Sequence, residues 1–101
     1  CNGIQLHVDA ADYGHEAFRP WRLIAALLKA RRTLQPEATL WRDFPYEYEH
    51  ARRPFDLING GPRLRQWIED PGASAGDLEA MAAPEERAWR EARAGALLYH
   101  D

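Results

Sequence analysis

The sequence predicts an α+β domain, a small mixed sheet with helices packed on one side of it. Two periodicities and one kind of punctuation predict this. Ile4-Gln5-Leu6-His7-Val8 alternates apolar and polar residues with period two, whereas Trp21, Ile24, Ala25 and Leu28 recur at helical spacing. Between such runs, proline and glycine stand where elements should begin and end. At 101 residues the chain is one domain at most.

Residues 4–8 form the first expected strand, with Ile4, Leu6 and Val8 on one face and Gln5 and His7 on the other. His7 then looks toward solvent or a cleft, either as a ligand or acid/base residue or as a histidine hydrogen-bonded on the sheet face. Residues 9–17 are polar, contain Gly14 and read as a surface loop. Pro20 suits the first turn of a helix, where its missing N–H is no loss. That helix carries the Trp21, Ile24, Ala25 and Leu28 stripe, widened by Leu23 and Leu27. Arg31 and Arg32 complement the dipole at its end, and Pro36 bars continuation.

Residues 39–42 (Thr-Leu-Trp-Arg) read as a second strand and residues 55–58 (Phe-Asp-Leu-Ile) as a third, ended by Asn59-Gly60-Gly61, which tolerates positive φ. Between and beyond them, residues 44–60 gather aromatics, carboxylates and two prolines into the candidate functional surface of the chain. Pro45 and Pro54 cannot donate to a ladder and push the residue before each toward extended geometry. Residues 46–49 therefore read as a held, extended loop, with Tyr46 and Tyr48 on one side and Glu47 opposite. Pro62 can start a helix through Glu69 that places Leu64, Trp67 and Ile68 on one face, with Trp67 in the core. Ser74-Ala75-Gly76-Asp77 has the spacing of a capping box with Asp in the Glu position, opening a short helix through Met81. Pro84 starts a last helix carrying Ala88, Trp89 and Ala92, Gly95 ends it, and Leu97-Leu98-Tyr99 returns to the sheet.

Composition narrows the function. Seventeen residues are Ala, which adds little apolar area, so the core is thin. A thin core and a chain that opens on Cys1 rather than Met read as a C-terminal piece that leans on a larger partner. The net charge of −3 and pI near 5.8 give no basic stripe and argue against nucleic acid. No apolar run approaches the roughly 18 residues that cross a bilayer. The single cysteine excludes an internal disulfide, and its terminal position makes a thiol mechanism a poor fit. His7, His15, His50 and His100 show no metal-ligand spacing, and Gly60-Gly61 lacks the Lys and spacing of a phosphate loop, so neither metal nor cofactor is expected.

Glu47, Glu49 and Asp56 are the carboxylates clustered near aromatics. Glycoside hydrolysis needs two such groups at ~5–9.5 Å separation, but a domain this small seldom encloses a complete cleft. No catalytic residue is therefore assigned within the chain. Asp56 can face a ligand or accept backbone N–H bonds from the Asn59-Gly60-Gly61 turn.

A family resemblance adds to this reading. Cys1-x-Gly3-Ile4-Gln5-Leu6-His7-Val8, then Phe18-Arg19-Pro20, Pro36-Glu37 with Trp41-Arg42, Pro45-Tyr46-Glu47-Tyr48-Glu49, Asp56-Leu57-Ile58-x-Gly60, Leu64-Arg65 and Leu97-Leu98-Tyr99 closely resemble, in that order, the C-terminal domain of the peptidoglycan exo-β-N-acetylmuramidases, the NamZ family. The resemblance implies a periplasmic or secreted hydrolase that removes N-acetylmuramic acid from the non-reducing ends of peptidoglycan fragments. It also implies a larger, Rossmann-like N-terminal domain that holds the glutamates to which catalysis is ascribed, with the present chain closing one side of the cleft. The expected partners are thus peptidoglycan-derived sugars and the protein's own N-terminal domain, with neither nucleic acid nor membrane.

By matching position, the resemblance implies cleft-facing roles for Gln5, His7, Tyr46 and Glu47, with Asp56 and Asn59 as further substrate-binding candidates. The chain departs from the family pattern in two places: Asp9-Ala10 stands where Thr-Asp is usual, with a longer loop to Phe18, and Gly61-Pro62 stands where Ser or Asp usually begins the next helix. The lactyl carboxylate of the family substrate calls for an arginine. Arg42 and Arg52 both flank the loop, and the sequence does not choose between them. A competing reading is a noncatalytic carbohydrate- or protein-binding module that uses the same Tyr-rich loop.

Overall fold

Among residues 3–9, 11 and 13–99, which a computed structural model describes, there is no strand. The elements are α1 (Pro20–Leu34), α2 (Pro54–Asn59), α3 (Arg63–Glu69) and α4 (Ala75–Arg93), followed by a 3-10 turn, Ala94–Ala96. The expected α+β class and its small mixed sheet are therefore overturned. Cys1, set aside above as a nucleophile, and His100, set aside as a metal ligand, lie outside the described residues.

None of the three expected strands forms among the described residues. An alternating run becomes a strand only where a partner satisfies its backbone. Residues 4–8 have no such partner among the described residues, and Ile4 is 78% exposed. Residues 39–42 are irregular, but Leu40 and Trp41 pack at the edge of the core. Residues 55–58 lie inside α2, because Pro54 at its first position and Gly60 just beyond its end bracket a helix. Gly60 takes φ 82, and its N–H donates to the Leu57 carbonyl at 3.2 Å. Four apolar-rich residues cannot separate the two periodicities.

The organising element is α3. Leu64, Trp67 and Ile68 are buried on the face expected for them, and with Ala25 and Leu78 they form the core. The buried indole of Trp67 donates to the Ser74 carbonyl at 2.8 Å, so its polar atom is satisfied. Around this core α1 presents half of the anticipated stripe: Ala25 joins the core and Leu28 packs against it. Ile24 and Trp21 remain exposed, while Ala25 is fully buried between cationic neighbours. Arg22, Lys29 and Arg32 share the Ala25 side of the helix, and each reaches across to another element.

Arg22 grips Glu79 and Glu86 of α4 at 2.6 and 2.5 Å. These two bonds raise the Arg22 pKa further and hold both carboxyls below their usual range. Lys29 donates to the carbonyls of Trp67 and Asp70 at 2.8 and 2.7 Å, capping the end of α3, and lies 4.6 Å from the Trp67 ring centroid. Arg32 pairs with Glu69 at 2.9 Å. Burial pushes the Glu69 carboxyl up, but hydrogen bonds from Trp41 and Arg32 outweigh it and hold the group below its usual range. Arg32 is thus a tertiary contact as well as a helix-end charge.

The capping box at the start of α4 forms as expected. Asp77 N–H donates to Ser74 Oγ at 3.3 Å, and Ser74 N–H donates to the Asp77 carboxylate at 2.7 Å. The helix does not stop at Met81, however, and Pro84 lies inside it rather than at the start of another. Proline there removes the bond to the Ala80 carbonyl, yet Ala82, Ala83, Glu85, Glu86 and Arg87 around it all favour helix. Leu78 and Ala82 are buried, whereas residues 84–93 are exposed and Trp89 is 67% accessible. Gly95 falls within the 3-10 turn, and Leu97, Leu98 and Tyr99 face solvent instead of rejoining a sheet.

The architecture is open. A solvent-accessible surface of 8524 Å² compares with ~5,800 Å² for a compact monomer of this mass. The Cα radius of gyration of 16.4 Å exceeds the ~13 Å of a compact chain of this length. No helix among the described residues is long and apolar enough to cross a membrane.

Candidate functional site

Trp41 and Phe55 close the loop between α1 and α2. Their rings lie 4.6 Å apart at the edge of the core, and the Trp41 indole also donates to the Glu69 carboxylate. The dozen or so residues between them therefore leave and re-enter the fold at one point, as a surface loop with fixed ends.

Inside the loop, residues 46–49 are a turn and not the expected extended run. The Glu49 N–H donates to the Tyr46 carbonyl at 3.0 Å, and the two residues form an isolated antiparallel bridge. Prolines at 45 and 54 constrain only their immediate neighbours, leaving the four residues at the tip free to reverse direction. Glu47 sits at the bend with φ 52, the only positive φ at a non-glycine residue among those described. Left-handed backbone costs an L-residue ~1–2 kcal/mol. Tyr46 and Tyr48 are both exposed, Tyr48 almost completely.

Glu49 holds the second half of the loop in place. Its carboxylate accepts from Ala51 N–H at 2.8 Å and from Arg52 Nε and Nη2 at 3.1 and 2.7 Å. The Arg52 bond, followed by the Ala51 amide, keeps the Glu49 carboxyl below its usual range. Beside this turn lies a hollow of about 240 Å³ lined by Arg42, Phe44, His50, Arg52 and Arg53 among others. The Arg42 guanidinium lies 3.5 Å from the Phe44 ring centroid.

The remaining candidates are placed elsewhere. Asp56 lies in α2 with its side chain 11% exposed, and its carboxylate takes a two-pronged bond from Arg65 of α3 at 2.7 and 2.9 Å. That bond raises the Arg65 pKa. The anticipated alternative partners, the turn amides after Asn59, are not the ones it meets.

Asn59 has both ends of its amide engaged: Oδ1 accepts from Trp21 Nε1 at 3.0 Å, and Nδ2 donates to the Gly61 carbonyl at 3.4 Å. It lines a second groove of about 420 Å³ with Trp21, Pro62, Arg63, Met81 and Glu85. Gln5 and His7 are exposed on the irregular N-terminal segment, with no hydrogen bond to the helices among the described residues. The structure thus brings Tyr46 and Glu47 together on one turn and places Asp56 and Asn59 both on α2, each bonded to other groups. It leaves Gln5 and His7 on a separate segment.

Two features escape the periodicity. The Arg22, Lys29 and Arg32 row was hidden because its partners lie far along the chain, although spacing of seven and three residues around Ala25 marks one helix face. The stacking of Arg42 on Phe44 had a local signal, a cation two residues before an aromatic in a proline-held loop.

Chemically, the loop offers a phenol and a carboxylate at its tip, beside a hollow lined by three guanidinium groups and the Asp43 carboxylate, a mixed polar surface able to hydrogen-bond a polar ligand. Glu49, Glu79 and Glu86 are kept ionised by arginines and serve the scaffold. In comparison with known proteins, the family described as exo-β-N-acetylmuramidase NamZ, C-terminal, matches residues 1–99. No curated protein and no solved structure matches the chain. With nearly every residue inside that match, the chain belongs to the C-terminal domain family of the NamZ exo-β-N-acetylmuramidases.

Proposed function

We propose that the chain walls one side of the substrate cleft in a peptidoglycan exo-β-N-acetylmuramidase, and that the loop tip bearing Tyr46 and Glu47 faces the sugar. A larger N-terminal domain of the same protein performs the hydrolysis, releasing N-acetylmuramic acid from non-reducing ends. The proposed location is periplasmic or secreted, in keeping with a cell-wall-derived substrate.

The observation that carries this reading is the backbone of Glu47. A non-glycine residue kept in the left-handed region at an exposed tip gains nothing from core packing, and such strain concentrates where a side chain must be aimed. The clamp between Trp41 and Phe55 fixes the loop ends, so the tip is presented from a rigid base. The open surface of the domain is consistent with a neighbour that covers part of it.

Full-length enzyme carrying Tyr46→Phe or Glu47→Gln tests the reading on a chromogenic N-acetylmuramic acid glycoside. Each change should lower kcat/KM by roughly tenfold, about 1.4 kcal/mol of transition-state stabilisation, with the melting temperature nearly unchanged. Wild-type kinetics in both variants would reject it.

A further inference from the structure

We propose that Arg42 recognises the lactyl carboxylate of the substrate and so sets the preference for muramic acid; this rests on the cleft reading above. Three arginines and one carboxylate, the exposed Asp43, line the hollow beside the Tyr46–Glu49 turn, so the lining is net cationic, and the structure separates the arginines. Arg52 is committed to Glu49 through both Nε and Nη2. Arg53 has Asp43 at 3.9 Å, an exposed and solvated pairing. Arg42 has no carboxylate within ion-pair distance among the described residues; its neighbour is the Phe44 ring, 3.5 Å from the guanidinium carbon.

Stacking occupies the flat face of a guanidinium and leaves its in-plane N–H groups unused. Those groups form the fork that a carboxylate accepts in a two-pronged hydrogen bond. N-acetylmuramic acid differs from N-acetylglucosamine by a lactyl ether that ends in a carboxylate, so an arginine held in this way addresses the one anionic feature of the sugar. His50 lines the same hollow and offers a further donor. At about 240 Å³ the hollow is smaller than the ~300–1,000 Å³ of whole-ligand sites. That size suits a substituent, leaving the sugar ring to the cleft beside it.

The test compares two chromogenic substrates in the full-length enzyme: the N-acetylmuramic acid glycoside and the same glycoside with its lactyl carboxylate converted to a primary amide. The readout is the ratio of their kcat/KM values. The parent enzyme should favour the acid by 10-fold or more, the yield expected of a charge-assisted bond. Arg42→Gln should bring the ratio near one, chiefly through a higher KM for the acid, and Arg42→Lys should recover part of the preference. An unchanged ratio in Arg42→Gln, or an equal loss on both substrates, overturns the assignment. Should Tyr46→Phe and Glu47→Gln impair turnover while Arg42→Gln does not, the anion role fails and the cleft reading stands. If all three variants behave as wild type, the cleft reading fails with it.

Discussion

Trp67 and Tyr48 are both large aromatic side chains, and the molecule treats them in opposite ways. Trp67 is 8% exposed, with its indole hydrogen-bonded to a carbonyl and Lys29 over its ring; Tyr48 is 95% exposed at the loop tip. The first belongs to a helical hub whose members come from α1, α3 and α4. The second belongs to a loop whose internal order comes from contacts a few residues long, those of Glu49 with Ala51 and Arg52. Stability should therefore reside in the hub, while the loop can change its tip residues without disturbing the fold.

The comparison breaks most directly at Trp67. Trp67→Ala should cost ~3–5 kcal/mol, the usual range for emptying a large aromatic from a core, because it removes burial, the bond to Ser74 and the ring beneath Lys29 together. Tyr48→Ala should stay within ~0.5 kcal/mol of the parent, as surface changes away from such features do. Urea unfolding followed by helical circular dichroism reads both. A loss below ~1 kcal/mol at Trp67 would remove α3 as the hub.

Asp56 sharpens the boundary, since the resemblance makes it a candidate for the substrate while the geometry ties it to Arg65. Asp56→Asn leaves a half-buried guanidinium with a weaker partner and should cost ~1.5–3 kcal/mol, the worth of a hydrogen bond to a charged group. KM of the full-length enzyme should hardly move. A raised KM with unchanged stability would transfer Asp56 to the ligand-facing side.

What the sequence made legible follows the same division by distance along the chain. The Leu64, Trp67 and Ile68 face, the proline start of α1 and the Ser74–Asp77 box are local patterns, and each forms as expected. The family match likewise bears out the resemblance read from ordered motifs. That no sheet forms among the described residues was not legible, because five alternating residues at 4–8 satisfy only one of a strand's two requirements. The other, a ladder partner, is a long-range fact. Residues 55–58 were misread because the deciding signals stood outside the segment, at Pro54 and Gly60. The salt bridges of Arg22 and Arg32 join residues separated by 37 to 64 positions, beyond any local window. At the site, the composition of the loop was visible, but the reversal at Glu47 was not, because nothing in Pro-Tyr-Glu-Tyr-Glu demands positive φ.

A small expected gain in stability is the most discriminating effect for the loop. Glu47 at φ 52 carries the ~1–2 kcal/mol penalty of left-handed backbone, which glycine would not suffer. Glycine adds ~0.5–1 kcal/mol of chain entropy to be lost on folding. The difference favours Glu47→Gly by ~0.5 kcal/mol, so the variant should unfold at slightly higher urea than the parent. In the full-length enzyme the same variant should lose turnover on the muramic acid glycoside, since the side chain that the bend presents is gone. Higher stability with lower activity would separate the loop from the hub in one protein. A variant that is less stable than the parent would show that the Glu47 side chain helps to hold the turn, and the tip would then belong with the scaffold.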